Sequence, residues 1–456
     1  MAHTHYGSSS LTIDNHYGTL DARTRVGHLS RNIKIVPGPD YGWGYTVIIY
    51  GFLDGDILRI GNAQVSGVQF DNGGQFESLD APLVFHNSNS GNYTSSVTAS
   101  SFTYCQAGCL YIKNSHNITF SNNVMYRTYV FGAQITMAQS LTFSNNLITG
   151  VTAKPTFAEG RELTACLYVE EEVTLESLTT IKDNYCIGSS THGFAVPMIR
   201  CDMFETNPIA NNTAGSTQIG FIINTNGQQC QAFSYAKSFA TNIGNICGSP
   251  GISMIKFDHF IMADNRRGVT LKHGASEGGH DHSAYLYNSY ITAISRPSCA
   301  ECYGSSATKC TWGTGMRMFT ASANGEVLPA KFGSSFDVVC KQPVYDSKSF
   351  LENVTFDNFR QTYTGAVSAC SNNFAFKPHN GGFDQTGSAN LFTSHCTNCD
   401  TDSYLNAPAP SASRLGWFGG CGDILCTGFQ NYLVQDHDGM FFGSKGTIVP
   451  NNSVIG

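Results

Sequence analysis

Apolar and polar residues alternate along much of this chain in short bursts. In Asn117-Ile-Thr-Phe-Ser-Asn-Asn-Val-Met and again in Ser140-Leu-Thr-Phe-Ser-Asn-Asn-Leu-Ile, the apolar residues fall at every second position: Ile118 and Phe120, then Leu141 and Phe143. A period of two marks a strand with one buried face. Each time the alternation stops at an Asn pair, and a second short apolar run follows. Asn tolerates left-handed backbone and bonds its own main chain, so the pair predicts a tight corner between strands. The two segments stand 23 residues apart and share T-F-S-N-N. Fainter copies occur at Val97-Thr-Ala-Ser-Ser-Phe, Thr180-Ile-Lys-Asp-Asn-Tyr and Thr355-Phe-Asp-Asn-Phe, with relatives at Lys256-Phe-Asp-His-Phe and Leu286-Tyr-Asn-Ser-Tyr.

A strand, an Asn corner and another strand, recurring every 20 to 25 residues or about that, predicts an all-β right-handed parallel β-helix with loop insertions and disulfides. Each coil is a rung about 4.8 Å from the next. Ile118 and Phe120 should lie over Leu141 and Phe143, and Asn122 over Asn145, with the side-chain amides of that pair bonded along the stack. No rung buries its face alone. A propeller would need a period of about 40 to 50 residues. A sandwich would need hairpin turns at strand spacing, and pairs such as Asn72-Gly73 and Asp438-Gly439 do not recur that way.

The period is interrupted in places. Residues 154–178 hold Pro155 and Glu170-Glu171-Glu172, which predicts an outward loop. The expected organisation is a cap and lead-in over 1–45, main rungs over 46–295 with the 154–178 insertion, a Cys-rich insertion over 296–345, and further rungs and a cap over 346–456.

Only 13% of residues are charged, about half the usual share, and 26 basic against 33 acidic residues leave a net charge of −7. That excludes charge-driven disorder and coiled coil, and it supplies no basic footprint for nucleic acid. The longest apolar stretch, Thr46 to Leu53, is far short of a membrane span.

Sixteen cysteines are an even and heavy load, with close groups at Cys105 and Cys109, at Cys299, Cys302, Cys310 and Cys340, at Cys396 and Cys399, and at Cys421 and Cys426. A zinc site would need two such pairs at ribbon spacing or a His partner at finger spacing. Cys299-x-x-Cys302 and Cys396-x-x-Cys399 are 97 residues apart, so disulfides in an oxidising compartment are the expectation. Sequons at Asn92, Asn117, Asn211, Asn353 and Asn451 agree, with N-linked glycans as the expected adducts. The opening MAHTHYGSSS has neither the basic nor the apolar region of a secretory leader. The expectation is therefore a processed piece of a larger secreted or membrane-anchored precursor.

Several phrases are similar to the β-helical region of the fibrocystin-like extracellular proteins. Thr24-Arg-Val-Gly-His-Leu-Ser-Arg-Asn-Ile33 resembles the stretch that follows their eight-glycine domain. Asn62-Ala-Gln-Val-Ser-Gly-Val-Gln-Phe70 and Pro82-Leu-Val-Phe-His86 resemble the first rungs. Asn211-Asn-Thr-Ala-Gly-Ser with Ile219-Gly-Phe-Ile222, Met262-Ala-Asp-Asn-Arg-Arg-Gly268 and Asp436-His-Asp-Gly-Met440 resemble later phrases, in the same order. The resemblance implies an extracellular, glycosylated, disulfide-bearing β-helix. Some relatives with this β-helix are linked to hyaluronan breakdown, and others are receptor-like or structural.

Sugar-cleaving β-helices need carboxylates about 5 to 9.5 Å apart across a groove. Asp183, Asp258, Asp264 and Asp357 lie in or near repeat cores, where the plainer expectation is a corner residue standing in for Asn. Asp436-His437-Asp438 reads first as a turn, and Glu170-Glu171-Glu172 as a solvated loop. His273, Glu277, His280, Asp281 and His282 form the densest set of metal-ligating types, but in the Gly-rich run HGASEGGHDH a polar loop is the simpler reading. Tyr41-Gly-Trp43-Gly-Tyr45 is expected to seat the N-terminal cap rather than stack a sugar. Trp312 and Trp417 are the other tryptophans.

These observations predict no cofactor, no metal and no assigned catalytic residue. The leading expectation is a structural or adhesive glycoprotein module that self-assembles through its faces or ends, or binds an extracellular glycan or protein. The alternative is a glycan-active hydrolase or lyase, with hyaluronan-type substrate, using groove carboxylates.

Overall fold

In the computed structural model, the structure describes residues 12–23, 25–38, 44–75, 80–88, 93–152, 164–169, 179–190, 192–196, 209–217 and 219–223, and beyond them 231–234, 237–239, 254–263, 267–271, 283–292, 314–318, 347–359, 374–378, 387–399, 414–416, 433–443 and 445–449. All regular elements among these residues are strands. The chain divides into two compact units, residues 25–224 with 331–333 and residues 1–24, 225–330 and 334–456. They are called the N-terminal and C-terminal units below.

The N-terminal unit is a parallel β-helix with three sheets per coil. One coil runs through the second half of Leu110–Ser121, then Val124–Tyr129, then the first half of Phe131–Ser144. The register is the expected one: Ile118 lies beside Leu141, Phe120 beside Phe143 and Ser121 beside Ser144. The first sheet then stacks Ser101–Cys105, Val124–Tyr129, Leu147–Thr152, Tyr185–Ile187 and Thr213–Gly215, all parallel. The inward positions form continuous stacks. Phe70 faces Phe102 at 4.7 Å between ring centroids and Phe120 faces Phe143 at 5.4 Å, in near-parallel geometry and fully or almost fully buried. Such apolar columns supply the burial that a single rung lacks.

The Asn corners show a division of labour that differs from the expectation. The first residue of each pair is left-handed: φ is +57° at Asn122, +54° at Asn145, +59° at Asp183 and +55° at Asn211. The continuous buried stack belongs to the second residue, while among the first residues Asn211 Nδ2 donates to Asp183 Oδ1. Asn123, Asn146, Asn184 and Asn212 are buried. Asn123 Oδ1 accepts from the backbone N–H of Ser100, and the Oδ1 of each of the other three accepts from the backbone N–H and the side-chain amide of the Asn one rung before. Each Nδ2–H also donates to a buried backbone carbonyl, as Asn146 does to Phe120 O at 3.1 Å. The physical reason is that the tight corner turns one backbone N–H inward, away from water, where it must find an acceptor. Only the second Asn points that way; the Nδ2 of Asn122 reaches no further than Ser121 Oγ at 3.5 Å.

A strap runs across the outside of the first sheet. Arg25 lies over the Tyr185 ring at 4.2 Å, Gly27 presses on Val124 and Leu147, Leu29 O accepts from Ser101 Oγ, and Ile33 pairs beside Val68. Eight residues at about 3.3 Å each cover about 26 Å, which suits the five rung steps of about 4.8 Å that separate those contacts. A Cβ at Gly27 would come within 2.8 Å of Val124 Cγ1, so glycine lets the strap lie flat.

The C-terminal unit stacks Met254–Asp258, Ser283–Thr292, Ser347–Asp357 and Gly387–Phe392 in parallel, with Leu433–Asp436 closing the series. Its inward column carries Phe257, Leu286, Leu351 and Leu391, all buried. Ser289 and Ser394 take the corner role that Asn has in the other unit. Phe260 N–H donates to Ser289 Oγ and Val354 N–H to Ser394 Oγ. A hairpin of Thr12–Asn15 and Gly18–Asp21 packs Tyr17 and Leu20 against Ile261 and Ala263.

Cys105 is bonded to Cys109, Cys396 to Cys399, and Cys166 to Cys186. The last pair, 20 residues apart, is a link between neighbouring coils that the spacing of cysteines does not disclose. Cys299, Cys302, Cys310, Cys340, Cys421 and Cys426 lie outside the described residues, as do most of 154–178 and of 296–345. Among the described residues no helix is long and apolar enough to cross a membrane.

Candidate functional site

Alternation in the C-terminal unit decides which residues face outward. With Phe257, Leu286 and Leu351 turned in, their neighbours form two outer columns. Asp258, Tyr287 and Glu352 are side by side, followed by Phe392. Tyr285, Phe350 and Asn390 form the parallel column. The result is an aromatic shelf carrying two carboxylates. Tyr285 stacks on Phe350 at 4.8 Å and lies 5.8 Å from Tyr287, in both cases nearly coplanar in tilt. Phe392 stacks on His437 at 4.4 Å, and His437 Nε2 is 3.0 Å from Asn390 Oδ1.

The acids differ in their surroundings. Asp258 is half-buried; its Oδ1 accepts from Asn288 Nδ2 at 2.9 Å and lies 2.9 Å from His259 Nδ1. Glu352 is exposed. Tyr287 stands between them, and its phenol is held above its ordinary pKa, first by burial and then by the negative field of Glu352, Tyr285 and Asp258. A protonated phenol with a carboxylate on each side is a hydrogen-bond donor at neutral pH. Two rung steps separate the backbones that bear Asp258 and Glu352 by about 9.6 Å, and flexible side chains can shorten the gap between the carboxyl groups. Side chains leaning toward each other would bring the carboxyl groups into the wider spacing of paired sugar-cleaving carboxylates, about 6.5 to 9.5 Å.

The other acids are committed to structure. Asp183 is a corner residue whose Oδ1 accepts from Asn211 Nδ2. Asp357 accepts from Tyr290 OH at 2.5 Å and Asn398 Nδ2 at 3.0 Å, on the same outer face as Thr355, which bonds Tyr17 OH at 2.7 Å and sits 3.1 Å from His395 Nε2. Asp436 is fully buried and its carboxylate takes three backbone N–H groups, from Gly439, Phe441 and Phe442. Asp438 bonds the N–H groups of Thr393 and Met440. Burial works against ionisation there, but these bonds hold its carboxyl below the usual range. The Asp436-His437-Asp438 phrase is thus a turn, while His437 belongs to the aromatic shelf.

Of the sequence candidates among the described residues, Asp258 and His437 enter the site. Tyr287 and Glu352 escape sequence reasoning because 94 residues separate the two acids; only the rung register joins them. Asp264, Glu170 to Glu172, His273, Glu277, His280, Asp281, His282, Trp43, Trp312 and Trp417 lie outside the described residues. Among the described residues no group of three His, Cys, Asp or Glu could hold a metal. Tyr45 is half-buried and donates to Ile35 O at 2.8 Å, and a Cβ at Gly44 would meet Gly74 O at 2.0 Å; this part of the lead-in is packed on the first coil.

Among the sequons, Asn92 and Asn451 lie outside the described residues. Asn117 is a left-handed corner residue at φ +56°. Asn211 Nδ2 donates to Asp183, and Asn353 Nδ2 donates to Asn288 Oδ1 at 2.9 Å.

Fold and site together define a parallel β-helix domain with an aromatic, acid-bearing outer face. Residues 56–247 match the family model described as CEMIP beta-helix. The match agrees with the resemblance to the hyaluronan-linked relatives. No curated protein matches the chain. Among solved structures, similarity is found to one titled "Catalytic domain of GH87 alpha-1,3-glucanase D1069A in complex with tetrasaccharides", at 12% identity and a TM-score of 0.27, covering 77% of this chain and 60% of that one. The chain therefore spans less than two thirds of that neighbour's length.

Proposed function

We propose that this protein is an extracellular glycan-active β-helix domain whose working surface is the outer face around Tyr287. The observation that carries it is the pair Asp258 and Glu352 on either side of Tyr287, on a shelf of stacked Tyr and Phe rings. Stacked rings offer faces to a sugar chain, and hydrolysis of a glycosidic bond asks for two carboxyl groups at this spacing. Asp258, oriented by Asn288 and His259, is assigned the base that takes a proton from water as the water attacks the anomeric carbon. Glu352 delivers a proton to the departing glycosidic oxygen, so one water is consumed per bond cleaved. Tyr287 donates a hydrogen bond to the chain between them.

The disulfides and the family of residues 56–247 support an extracellular location. A right-handed coil is the hand that parallel crossovers adopt in nearly all proteins. Hyaluronan is the first substrate to try. A structural or adhesive role has less support, although one observation favours it: Ile33, Ile48, Phe52, Leu53, Ile57 and Leu58 leave apolar side chains exposed on the first coil, a surface that could meet a second copy.

The test is degradation of a glycan panel, read by product size, for the wild type and for Asp258→Asn and Glu352→Gln. Cleavage by the wild type and its loss in both variants supports the reading. Absence of cleavage across the panel, or full activity in both variants, overturns it.

A further inference from the structure

A second exposed cluster lies in the N-terminal unit, where the first sheet turns its corner. Tyr104 is opposite Arg127, with Thr103 beside Tyr126 and Cys105 beside Thr128. The Arg127 guanidinium carbon is 5.4 Å from the centre of the Tyr126 ring and 5.8 Å from that of Tyr104, and the two rings meet edge to face at 5.9 Å. Tyr104 is 48% exposed, and Arg127 is exposed too. Among the described residues no carboxylate pairs with Arg127.

The backbone here is unusual for such bulky residues. Tyr104 and Arg127 are left-handed at φ +56° and +53°, a conformation that costs an ordinary L-residue about 1 to 2 kcal/mol. The next positions of the same column are Gly150 and Gly188, at φ +72° and +74°. Glycine is thus what this corner accepts without strain, and the Arg127 stem lies alongside Gly150, at ordinary contact distance (3.5 Å) from where a Cβ would be. The structure spends two strained residues to present one cation on two rings.

We propose that Tyr104, Tyr126 and Arg127 form a non-catalytic binding site for a sulfated sugar. The sulfate ester takes the in-plane N–H fork of Arg127 while the sugar ring lies against Tyr104. Arg is more weakly hydrated than Lys and offers bidentate donors, so the weakly hydrated sulfate monoester loses less water on pairing than a carboxylate does. A guanidinium already stacked on aromatic rings keeps its edge free for that pairing. This site is independent of the carboxylate pair on the C-terminal unit.

The experiment is titration calorimetry on the full chain with a sulfated galactosaminoglycan hexasaccharide and with the same hexasaccharide after chemical desulfation, which keeps the uronate. The sulfated form should bind at least tenfold more tightly. Arg127→Gly should remove that preference while melting no lower than the wild type, because glycine relieves the left-handed strain. Arg127→Lys should keep only part of it, because the charge remains without the fork. Equal affinity for the two hexasaccharides, or unchanged preference in Arg127→Gly, overturns the proposal.

Discussion

The two units fill their corners with different mixtures of Asn and Ser. Ser100 and Ser115 of the N-terminal unit already accept an N–H from the preceding rung as the C-terminal serines do, but the N-terminal unit adds an Asn stack. In the N-terminal unit, buried Asn side chains at the corner tie three rungs: each accepts from the rung before, donates to the Oδ1 of the rung after and fastens a backbone carbonyl. In the C-terminal unit, Ser289 and Ser394 accept one N–H from the preceding rung and return their own proton to a carbonyl two residues back, at 2.6 and 3.0 Å. Their outer faces differ as well. One unit presents Arg127 on tyrosines, and the other presents Asp258 and Glu352 on a Tyr–Phe shelf. The lesson is that the coil prescribes only where a buried N–H needs an acceptor. Outward positions are released from that duty and can carry opposite charges on the same backbone.

The sharpest break in this comparison is catalytic. Glu352→Gln and Asp258→Asn should each lower glycan cleavage by about 10²- to 10⁴-fold, the range of a lost general acid or base, with melting temperature little changed. A steady-state assay beside thermal melts reads both.

Next come the corners. Asn146→Ala strands the inward N–H of Asn123 and leaves Phe120 O without its side-chain donor. It should destabilise by about 2 to 6 kcal/mol, at about 1 to 3 kcal/mol per stranded group. Ser289→Ala strands only Phe260 N–H and should cost about half as much. Asn122→Ala, on the exposed side of the same kind of corner, should cost about 1 kcal/mol through its left-handed backbone. Urea unfolding of the three variants ranks them. Equal losses would erase the distinction between the two members of the Asn pair.

His192 gives the N-terminal unit a pH handle. It is fully buried with Nδ1 3.0 Å from Thr164 O, and burial pushes its pKa down to about 4. Its unfolded value is near 6.5, so the unfolded chain binds the proton first as pH falls. The stabilisation is complete above about pH 6.5 and is lost between there and pH 4, at most about 3 kcal/mol. Melting curves across that window should flatten in His192→Gln. An unchanged slope would mean that another group carries the acid sensitivity.

The smallest effect concerns glycans. Asn353 and Asn211 already spend their amides along the stack, on Asn288 and Asp183. Peptide mapping by mass spectrometry of secreted protein should find those two sequons unmodified.

Period and corner chemistry made the fold legible. Each rung repeats one local arrangement, so Ile118 over Leu141 and Phe120 over Phe143 followed from counting 23 residues along the chain. Counting could not tell Asn122 from Asn123, since both have the same chemistry and only the direction of the turn hides one of them.

The sequence by itself therefore determined the strands, their alternation, the corners and the stacking of neighbouring repeats, because those depend on local backbone preference and on burying one face of each strand. Tertiary structure alone decided what stands beside what when the spacing between rungs departs from the repeat. Asp258 and Glu352 share a column although they stand 94 positions apart in the sequence, Cys166 meets Cys186, and the strap that pairs Ile33 beside Val68 carries Arg25 onto Tyr185 several rungs on. Insertions lengthen the path between rungs without changing the register at which the strands meet. Closing those loops costs little, while a slipped register would turn a buried face outward.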